Sequence, residues 1–226
     1  MVPLVILAGG RGTRLRALSR DLPKFLMPIS PGRAFADVQL EWVRAQGFHE
    51  VVLCVGWRGD LVRAHVGDGR RHGLDVTYVD DGALPLGTGG ALRRAFASPP
   101  SFAAVLYGDT VLDLPCPEVI AAARSRYALM TVIEAPPGET PNAELKDGVV
   151  SYDKRCPRPG WRQMDYGLSI VSREFLLGLP PAVPYDLADG LAAASAKGLL
   201  AGWLATRPFH EINTPESLAA FRKRFA

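Results

Sequence analysis

The sequence has few cysteines and lacks the marks of secreted and membrane-spanning proteins. Cys54, Cys116 and Cys156 are the only cysteines in 226 residues, and no two of them have CxxC spacing. We therefore expect neither a disulfide framework nor a structural zinc site. No apolar run approaches the roughly 20 residues that cross a bilayer, and no basic segment of the signal-peptide type precedes the first apolar run. These absences predict a cytoplasmic protein with no membrane partner.

The chain also lacks a strong excess of charge of either sign. It has 26 Lys and Arg against 23 Asp and Glu, a net charge of +3, and the basic residues are spread along the sequence. A nucleic-acid-binding protein would concentrate them in a patch or stripe, so we expect no nucleic-acid partner. The four histidines do not stand at metal-ligand spacing, and no Ser/His/Asp arrangement indicates covalent catalysis.

Apolar runs of strand length alternate with helical patterns through residues 1–135. The predicted strands are rich in Val, Leu and Ile and lie at 2–7, 51–55, 75–79, 103–107 and 129–133. The predicted helices between them lie near 35–46, 60–65, 90–97 and 117–125. This rhythm predicts an α/β fold, in which helices cover a sheet with many parallel strands.

The pattern changes near residue 136. Asp147-Gly148 predicts the turn of a hairpin, and a small antiparallel section is expected around it. The elements predicted in this part are strands at 143–146, 149–153 and 165–171 and helices at 187–197 and 215–225. With no linker or internal repeat in between, we expect a single domain over residues 1–226.

Closely spaced glycines follow the first predicted strand. Gly9, Gly10 and Gly12 permit positive φ and leave N–H groups free to point at anionic oxygens, and Arg11 and Arg14 can add positive charge. The spacing fits neither the Rossmann GxGxxG nor a Walker loop. By itself, the motif indicates either a loop that suits a triphosphate or a plain turn between strand and helix.

A second motif, at 23–28 (PKFLMP), contains one of only five lysines in the chain. Together with residues 9–15 (GGRGTRL), it resembles the GGxGTRL and PKxLxP signature of the sugar-1-phosphate nucleotidyltransferases. Two further segments match that family in the same order, 86–92 (LGTGGAL) and 105–110 (VLYGDT). The resemblance implies a Rossmann-like mixed, mostly parallel sheet flanked by helices, of the nucleotide-diphospho-sugar transferase type. It also implies that 1–135 mainly binds the nucleotide and 136–226 mainly the sugar.

The resemblance implies catalytic roles for Arg14, Lys24 and Asp109, and a Mg²⁺ ion held by Asp109. A carboxylate at a strand's carboxyl end also sits where open α/β sheets bind ligands. The family's second metal ligand is an aspartate shortly before a Thr/Ser-Pro-Glu segment. Here Glu211 takes that position and offers the same hard oxygen; the alternative is a polar residue that merely precedes the last helix. The implied nucleotide contacts are Leu7, Ala8, Gly9, Gly10, Arg11, Gly12, Thr13, Asp81, Gly87 and Thr88.

The implied sugar contacts depart from the family pattern. Asp153 and Lys154 occupy the positions of the family's Glu-Lys pair. Asp165 and Gly167 belong to the segment that aligns with the family's Asn-Ala-Gly. Asn142 is a further candidate for a sugar contact. The alternative for Asp153 and Lys154 is an ordinary polar strand end. An NTP and a sugar 1-phosphate are the expected partners, and a homodimer is left open.

The segment before Gly87 bears on the choice of base. It carries Asp80 and Asp81 where thymidylyl and uridylyl members place a glutamine, and a carboxylate can accept hydrogen bonds from guanine N1–H and N2–H₂. GTP is therefore favoured, and the chain looks most like heptose-1-phosphate guanylyltransferases of surface-polysaccharide pathways. Two alternatives stay open: a uridylyltransferase for an amino-sugar or muramic acid 1-phosphate, and a non-catalytic regulatory subunit that binds nucleotide sugars.

Overall fold

The computed structural model describes residues 2–10, 12, 15, 21–82, 85–181 and 184–226. The strands are β1 (Leu4–Leu7), β2 (Pro28–Ser30), β3 (Arg33–Ala34), β4 (Glu50–Val55), β5 (Asp75–Asp80), β6 (Phe102–Tyr107), β7 (Thr110–Val111), β8 (Ala128–Glu134), β9 (Ala143–Lys146), β10 (Val149–Tyr152), β11 (Gln163–Ser172), β12 (Leu200–Leu204) and β13 (His210–Glu211). The helices are α1 (Phe35–Ala45), α2 (Gly59–Val66), α3 (Gly87–Arg94), α4 (Cys116–Ala122), α5 (Arg173–Gly178), α6 (Leu187–Ala196) and α7 (Pro215–Phe225).

Nine strands form one mixed sheet in the order β5-β4-β1-β6-β11-β8-β12-β10-β9. The strands from β5 to β6 are parallel, as is the β8–β12 pair. The long strand β11 runs antiparallel to both β6 and β8 in the middle of the sheet. Two short antiparallel pairs, β2–β3 and β7–β13, lie outside the main sheet. The predicted fold class, a mixed sheet flanked by helices, is confirmed.

Strand β1 shows why this sheet is covered on both faces. All four of its residues are buried, and successive side chains of a strand point to opposite faces. Leu4 and Ile6 pack in one apolar core together with helix α1, whereas Val5 and Leu7 pack in a second core with helices α3 and α6. An uninterrupted apolar run is what a parallel strand buried on both faces requires.

Two local predictions from the sequence are confirmed closely. Asp147 and Gly148 both have positive φ, 51° and 78°, as a type I′ hairpin turn requires. Helix α7 begins at Pro215, and its N-cap Thr214 accepts a hydrogen bond from the Ser217 N–H at 3.2 Å. Both features are specified by residues adjacent in sequence.

Other elements differ from the prediction. Helix α3 begins at Gly87, three residues before the predicted start, because the carbonyl of Tyr185 accepts the N–H groups of Gly89 and Gly90. Strand β12 was not predicted, since its Gly202 is a poor strand former. In the sheet, a Cβ at Gly202 would come within 2.3 Å of the Leu145 side chain and 2.6 Å of the Val150 side chain, so close packing favours glycine there. Among the described residues, no helix has both the length and the apolar character needed to cross a membrane.

Candidate active site

A pocket of about 360 Å³ opens where β1 and β6 end and α3 begins. Parallel strands of open α/β sheets direct their carboxyl ends to one ligand-binding edge. The pocket brings together ten of the residues predicted from the sequence: Leu7, Ala8, Gly9, Gly10, Lys24, Asp81, Gly87, Thr88, Asp109 and Lys154. Tyr107, which was not singled out, also lines it.

The glycine loop leaves β1 against the end of β4. A Cβ at Gly9 would lie 3.4 Å from both the Gly56 nitrogen and the Asp81 carboxylate, so a small residue is favoured at this crossing. Gly12 has a φ of +59°, and a Cβ there would meet the Lys24 side chain at 3.0 Å. Arg11, Thr13 and Arg14, which were assigned to the nucleotide and to catalysis, lie outside the described residues.

Lys24 begins a 3₁₀ turn, Lys24–Leu26, whose other two residues are buried. Its Nζ lies 2.7 Å from Asp109 Oδ2, with 13% and 28% of the two side chains exposed. The same ammonium also donates a hydrogen bond to Asn213 Oδ1, and the Asn213 amide in turn donates to Glu211. The lysine is therefore held at the wall of the pocket by groups from two other segments, those of Asp109 and Asn213.

Asp109 and Glu211 come together although they are far apart in sequence. Glu211 is paired with Thr110, the residue after Asp109, in the β7–β13 ladder, and the Ile212 N–H donates to the Asp109 carbonyl at 3.1 Å. Burial and then the charge of Asp109 raise the pKa of Glu211, while Lys24 and Asn213 act in the opposite direction. Two carboxylates that repel each other across a site favour a cation between them.

The donor set at this point fits a Mg²⁺ ion. No group of three or more His, Cys, Asp or Glu side chains within the described part of the chain has the geometry to hold a metal. Mg²⁺ needs no such cage, because it is usually bound by one or two carboxylates, water and the phosphates of a substrate. Asp109 and Glu211 would supply the two carboxylates of such a site, and Asp109 also lines the adjoining pocket of about 360 Å³.

Asp81 follows the last residue of β5 and lines the pocket. Burial, and next the charge of Asp80, raise the pKa of Asp81, while the Leu86 N–H and Arg94 lower it. Its carboxylate is thus a partly desolvated hydrogen-bond acceptor. That is the kind of group the sequence predicted for reading a guanine edge.

The segment at Tyr185–Asp186 fixes the start of α3. A Cβ at Gly87, whose φ is +71°, would lie 2.6 Å from the Tyr185 carbonyl oxygen. The Thr88 hydroxyl donates to Asp186 Oδ1 at 2.8 Å and accepts the Leu187 N–H at 2.8 Å. Thr88 therefore joins α3 to α6, and its predicted contact with the nucleotide stays a prediction.

Asn142 and Asp165, two of the predicted sugar contacts, lie on adjoining segments. Asn142 Oδ1 accepts the Asp165 N–H at 3.0 Å, and Asp165 accepts hydrogen bonds from the Gly167 N–H at 2.9 Å and from the Tyr107 hydroxyl at 3.3 Å. Burial raises the pKa of Asp165 to about 6 despite these donors and the nearby charge of Lys154. A bulge in β11 between Asp165 and Ser169 shifts the pairing with β8 at this point.

The two members of the predicted Asp-Lys pair differ in position. Lys154 lines the pocket, and its Nζ lies 3.6 Å from Asp186 Oδ2. Asp153 instead accepts the N–H groups of Arg155 and Cys156 at 2.9 and 2.8 Å. It caps an exposed turn and is not among the residues that line the pocket.

Sequence reasoning did not single out Asn213, which links Lys24 to Glu211, or Gln39, which supports the turn carrying Asp109. Asn213 lies two residues from Glu211, so inspection of the segment around a candidate metal ligand could have found it. Gln39 contacts residues 68 and 71 positions away. Its polar side chain amid an apolar helical face is the only local signal.

Comparison with known proteins identifies relatives of this chain. The Nucleotidyl transferase family matches residues 4–155. D-glycero-alpha-D-manno-heptose 1-phosphate guanylyltransferase of Campylobacter jejuni is 30% identical over 152 residues, which cover 67% of this chain and 67% of that protein. Mannose-1-phosphate guanylyltransferase of Mycobacterium tuberculosis is 27% identical over 231 residues, which cover 95% of this chain but only 62% of that protein.

A solved structure is similar over the full length of both chains. The crystal structure of HddC from Yersinia pseudotuberculosis complexed with GMP-PN has a TM-score of 0.81 and 25% sequence identity to this chain, with 100% of each chain covered. The match of residues 4–155 takes in the glycine loop, Lys24, Asp81, the start of α3 and Asp109. The chain therefore belongs to the Nucleotidyl transferase family.

Proposed function

We propose that this protein transfers a guanylyl group from GTP to heptose 1-phosphate, forming a GDP-sugar and pyrophosphate. The observation that carries the proposal is the convergence of Lys24, Asp109 and Glu211 beside the pocket that the glycine loop enters. Family membership supports the reaction class. The names of the Campylobacter and Mycobacterium relatives, both guanylyltransferases, support the choice of nucleotide.

The reaction is a single in-line displacement. An oxygen of the sugar phosphate attacks the α-phosphorus of GTP, a new P–O bond forms, and the bond from the α-phosphorus to the bridging oxygen breaks as pyrophosphate leaves. Positioning and charge stabilisation account for catalysis of this kind, without a covalent intermediate. The Lys24 ammonium stabilises the negative charge that builds on the α-phosphate. Arg14 and the amides of the glycine loop are assigned to the departing pyrophosphate.

Asp109 and Glu211 are the residues that would hold a Mg²⁺ ion. When bound, the ion supplies positive charge that offsets the charge of the phosphates. Lys24 can contribute at the same place because its ammonium already contacts Asp109. The two carboxylates therefore bind the metal ion, and the lysine adds a second positive charge that compensates the phosphates.

We assign Asp81 the role of binding the guanine base. Its carboxylate accepts hydrogen bonds, and guanine presents N1–H and N2–H₂ donors on its Watson–Crick edge, whereas adenine presents an acceptor at N1. One mismatched polar contact of this kind costs roughly 1–3 kcal/mol, or about ten- to a hundredfold in specificity.

The sugar phosphate is assigned to the part of the pocket near Lys154, with Asn142, Asp165 and Gly167 beyond it. Lys154 provides positive charge at the pocket wall, and Asp165 provides an acceptor for sugar hydroxyls. On this basis 136–226 mainly binds the sugar, 1–135 mainly the nucleotide, and the whole chain acts as one domain. A homodimer stays a prediction. The three cysteines are free thiols, which supports the proposed cytoplasmic location.

A panel of nucleotides and sugar phosphates tests the proposal. GTP, UTP, dTTP, CTP and ATP are each incubated with Mg²⁺ and with heptose, mannose, glucose or muramic acid 1-phosphate, and pyrophosphate release is measured. The proposal expects the highest kcat/KM for GTP with heptose 1-phosphate. A clear preference for UTP would favour a uridylyltransferase, and no pyrophosphate with any pair would favour the regulatory alternative.

Two neighbouring carboxylates provide a matched test of the base assignment. Asp81→Asn exchanges an acceptor for a group that can also donate, so the preference for GTP over ATP should fall about tenfold or more. Asp80→Asn is the control, because Asp80 is exposed and caps the turn at Gly82. Equal effects of the two substitutions would contradict the assignment of Asp81.

A further inference from the structure

Gln39 is a polar residue in an otherwise apolar core. It lies on the buried face of α1, among Phe35, Ala36, Leu40 and Val43, and none of its surface is exposed. The large majority of buried polar side-chain atoms in proteins have a hydrogen-bond partner. The partners of Gln39 therefore indicate why it is there.

Both hydrogens of the Gln39 amide are used at one turn. Nε2 donates to the Tyr107 carbonyl at 2.8 Å and to the Thr110 carbonyl at 2.6 Å. These two carbonyls stand on either side of Gly108 and Asp109, and their acceptor character fixes which end of the amide is Nε2. One side chain thus closes the turn from which the Asp109 carboxylate projects.

Packing and two further hydrogen bonds fix the rest of the turn. A Cβ at Gly108 would lie 2.8 Å from the Ala8 Cα, so the turn is packed directly on the glycine loop. The Asp109 carbonyl accepts the Ile212 N–H at 3.1 Å. The Thr110 hydroxyl donates to Asp109 Oδ1 at 2.8 Å. With the backbone and one carboxylate oxygen fixed, small shifts of the turn translate directly into shifts of the carboxylate.

Packing alone does not explain a glutamine at this position. Its Oε1 is buried and has no hydrogen-bond partner among the described residues, which is unfavourable for a desolvated polar atom. Methionine or leucine would fill similar space without that cost. The amide is thus better explained by the two carbonyls that it holds.

We propose that Gln39 is a positioning residue that holds the 107–110 turn so that Asp109 meets the metal-bound nucleotide in the productive geometry. This inference rests on the proposed role of Asp109 as a metal ligand. Residues behind a metal ligand typically change metal affinity or activity by about 10- to 100-fold when they are replaced.

The test measures GTP binding by equilibrium dialysis in the absence of any sugar phosphate, once with Mg²⁺ and once with EDTA. For Gln39→Met, the tightening of GTP binding by Mg²⁺ should fall by about tenfold, while GTP affinity in EDTA stays unchanged. The KM for the sugar phosphate should also stay unchanged, and kcat should fall. A purely structural role would not separate these quantities.

Gln46→Met is the matched control. Gln46 follows the same helix and also bonds a backbone group, since its Oε1 accepts the Cys116 N–H at 3.2 Å, but it lies away from the Asp109 turn. It should leave the Mg²⁺-dependent tightening as in the wild type. Gln39→Glu is the second variant at the site and keeps the side-chain length. Its carboxylate cannot donate to both carbonyls, so it should show the same loss of Mg²⁺-dependent tightening. It therefore serves as the test variant if Gln39→Met does not fold.

A double variant checks that the effect passes through Asp109. Once Asp109→Asn has removed the carboxylate, adding Gln39→Met should cause no further loss of the Mg²⁺-dependent tightening. A further tenfold loss there, or a wild-type ratio in Gln39→Met and Gln39→Glu, would overturn the proposal. No turnover is needed for this measurement, so a failure of guanylyl transfer would be seen separately. If another nucleotide is preferred, the same ratio is measured with it.

Discussion

Lys24 and Asp109 form an ion pair at the wall of the pocket, where a triphosphate would bring several negative charges. Because both side chains are already fixed by neighbouring segments, little reorganisation is needed when charge builds on the α-phosphate. Preorganised charge of this kind is usually the largest single contribution to catalysis. Removal of the carboxylate should therefore affect turnover far more than folding.

Asp109→Asn is expected to lower kcat by at least about 10²-fold, because phosphate charge is then poorly compensated. The melting temperature should change little, since the amide can still accept the Thr110 hydroxyl. Pyrophosphate release and thermal unfolding are the two measurements. Asp113→Asn is the control, because Asp113 lies just beyond β7 and pairs with the exposed Arg207 at 3.1 Å. Wild-type turnover in Asp109→Asn would refute the assigned role.

Asp165 gives a prediction of pH dependence. Its pKa is raised to about 6 from an ordinary value of 3.8, so between these values the folded state binds more protons than the unfolded state. The free energy of unfolding should therefore decrease as pH rises from 3.8 to about 6, by on the order of 2–3 kcal/mol from this group. Above that range its contribution should no longer change.

Urea unfolding of the wild type and of Asp165→Asn across this pH range checks the prediction. The asparagine variant should lack this part of the decrease. Asp147→Asn is the control, because Asp147 is exposed in the hairpin turn and asparagine also tolerates its positive φ. A wild-type pH dependence in Asp165→Asn would mean that the carboxyl is not held in this buried state.

At the scale of the elements, the start of α3 depends on a distant partner. Its first turn is fixed by the Tyr185 carbonyl and by the Thr88–Asp186 hydrogen bond, nearly one hundred residues away in sequence. Gly87 is required there on two grounds, its positive φ and the 2.6 Å between a Cβ and the Tyr185 oxygen. The start of α3 and the pocket should therefore respond together to a change at Gly87.

Gly87→Ala is expected to lower kcat/KM for GTP by about 10- to 100-fold, because the displaced helix start no longer fits the nucleotide. Gly198→Ala is the control, because it separates the effect of backbone strain from the effect of displacing a helix start. Gly198 also has positive φ, +68°, but a Cβ there would meet nothing within 4 Å. Both variants should lose about 1–3 kcal/mol of stability, whereas only Gly87→Ala should lose activity. Steady-state kinetics and urea unfolding of the two variants would decide, and equal activities would contradict this account of α3.

How far each element could be predicted follows from where its determinants lie. The Asp147-Gly148 turn, the cap of α7 and the apolar strand β1 are specified by adjacent residues, and their positions were predicted to within about two residues. The start of α3, strand β12 and the support of Asp109 by Gln39 depend on contacts between residues far apart in sequence. Local propensity does not contain that information, so these features had to be observed.

At the scale of the whole molecule, the two parts of the chain share one sheet. Strand β11, from the second part, lies between β6 and β8, which belong to the first. This arrangement brings Asp165 beside Tyr107, and β13 brings Glu211 beside Asp109. Gly9, Lys24, Asp81 and Asp109, which the sequence assigned to one site, line the same pocket. Asp153, which was predicted to contact the sugar, caps a turn instead of lining that pocket.

The central claim is that the α-phosphate of GTP, with its guanosine, moves to a sugar 1-phosphate. It is tested most directly with GTP labelled at the α-phosphorus, incubated with heptose 1-phosphate and Mg²⁺, and followed by separation of the products. We predict that the label appears in a GDP-sugar in equal amount to the pyrophosphate released, and that Asp109→Asn forms both products at least about 10²-fold more slowly. Label that stays in GTP, although the protein binds GTP and the sugar phosphate at saturation, would contradict the account and identify a binding protein without transferase activity.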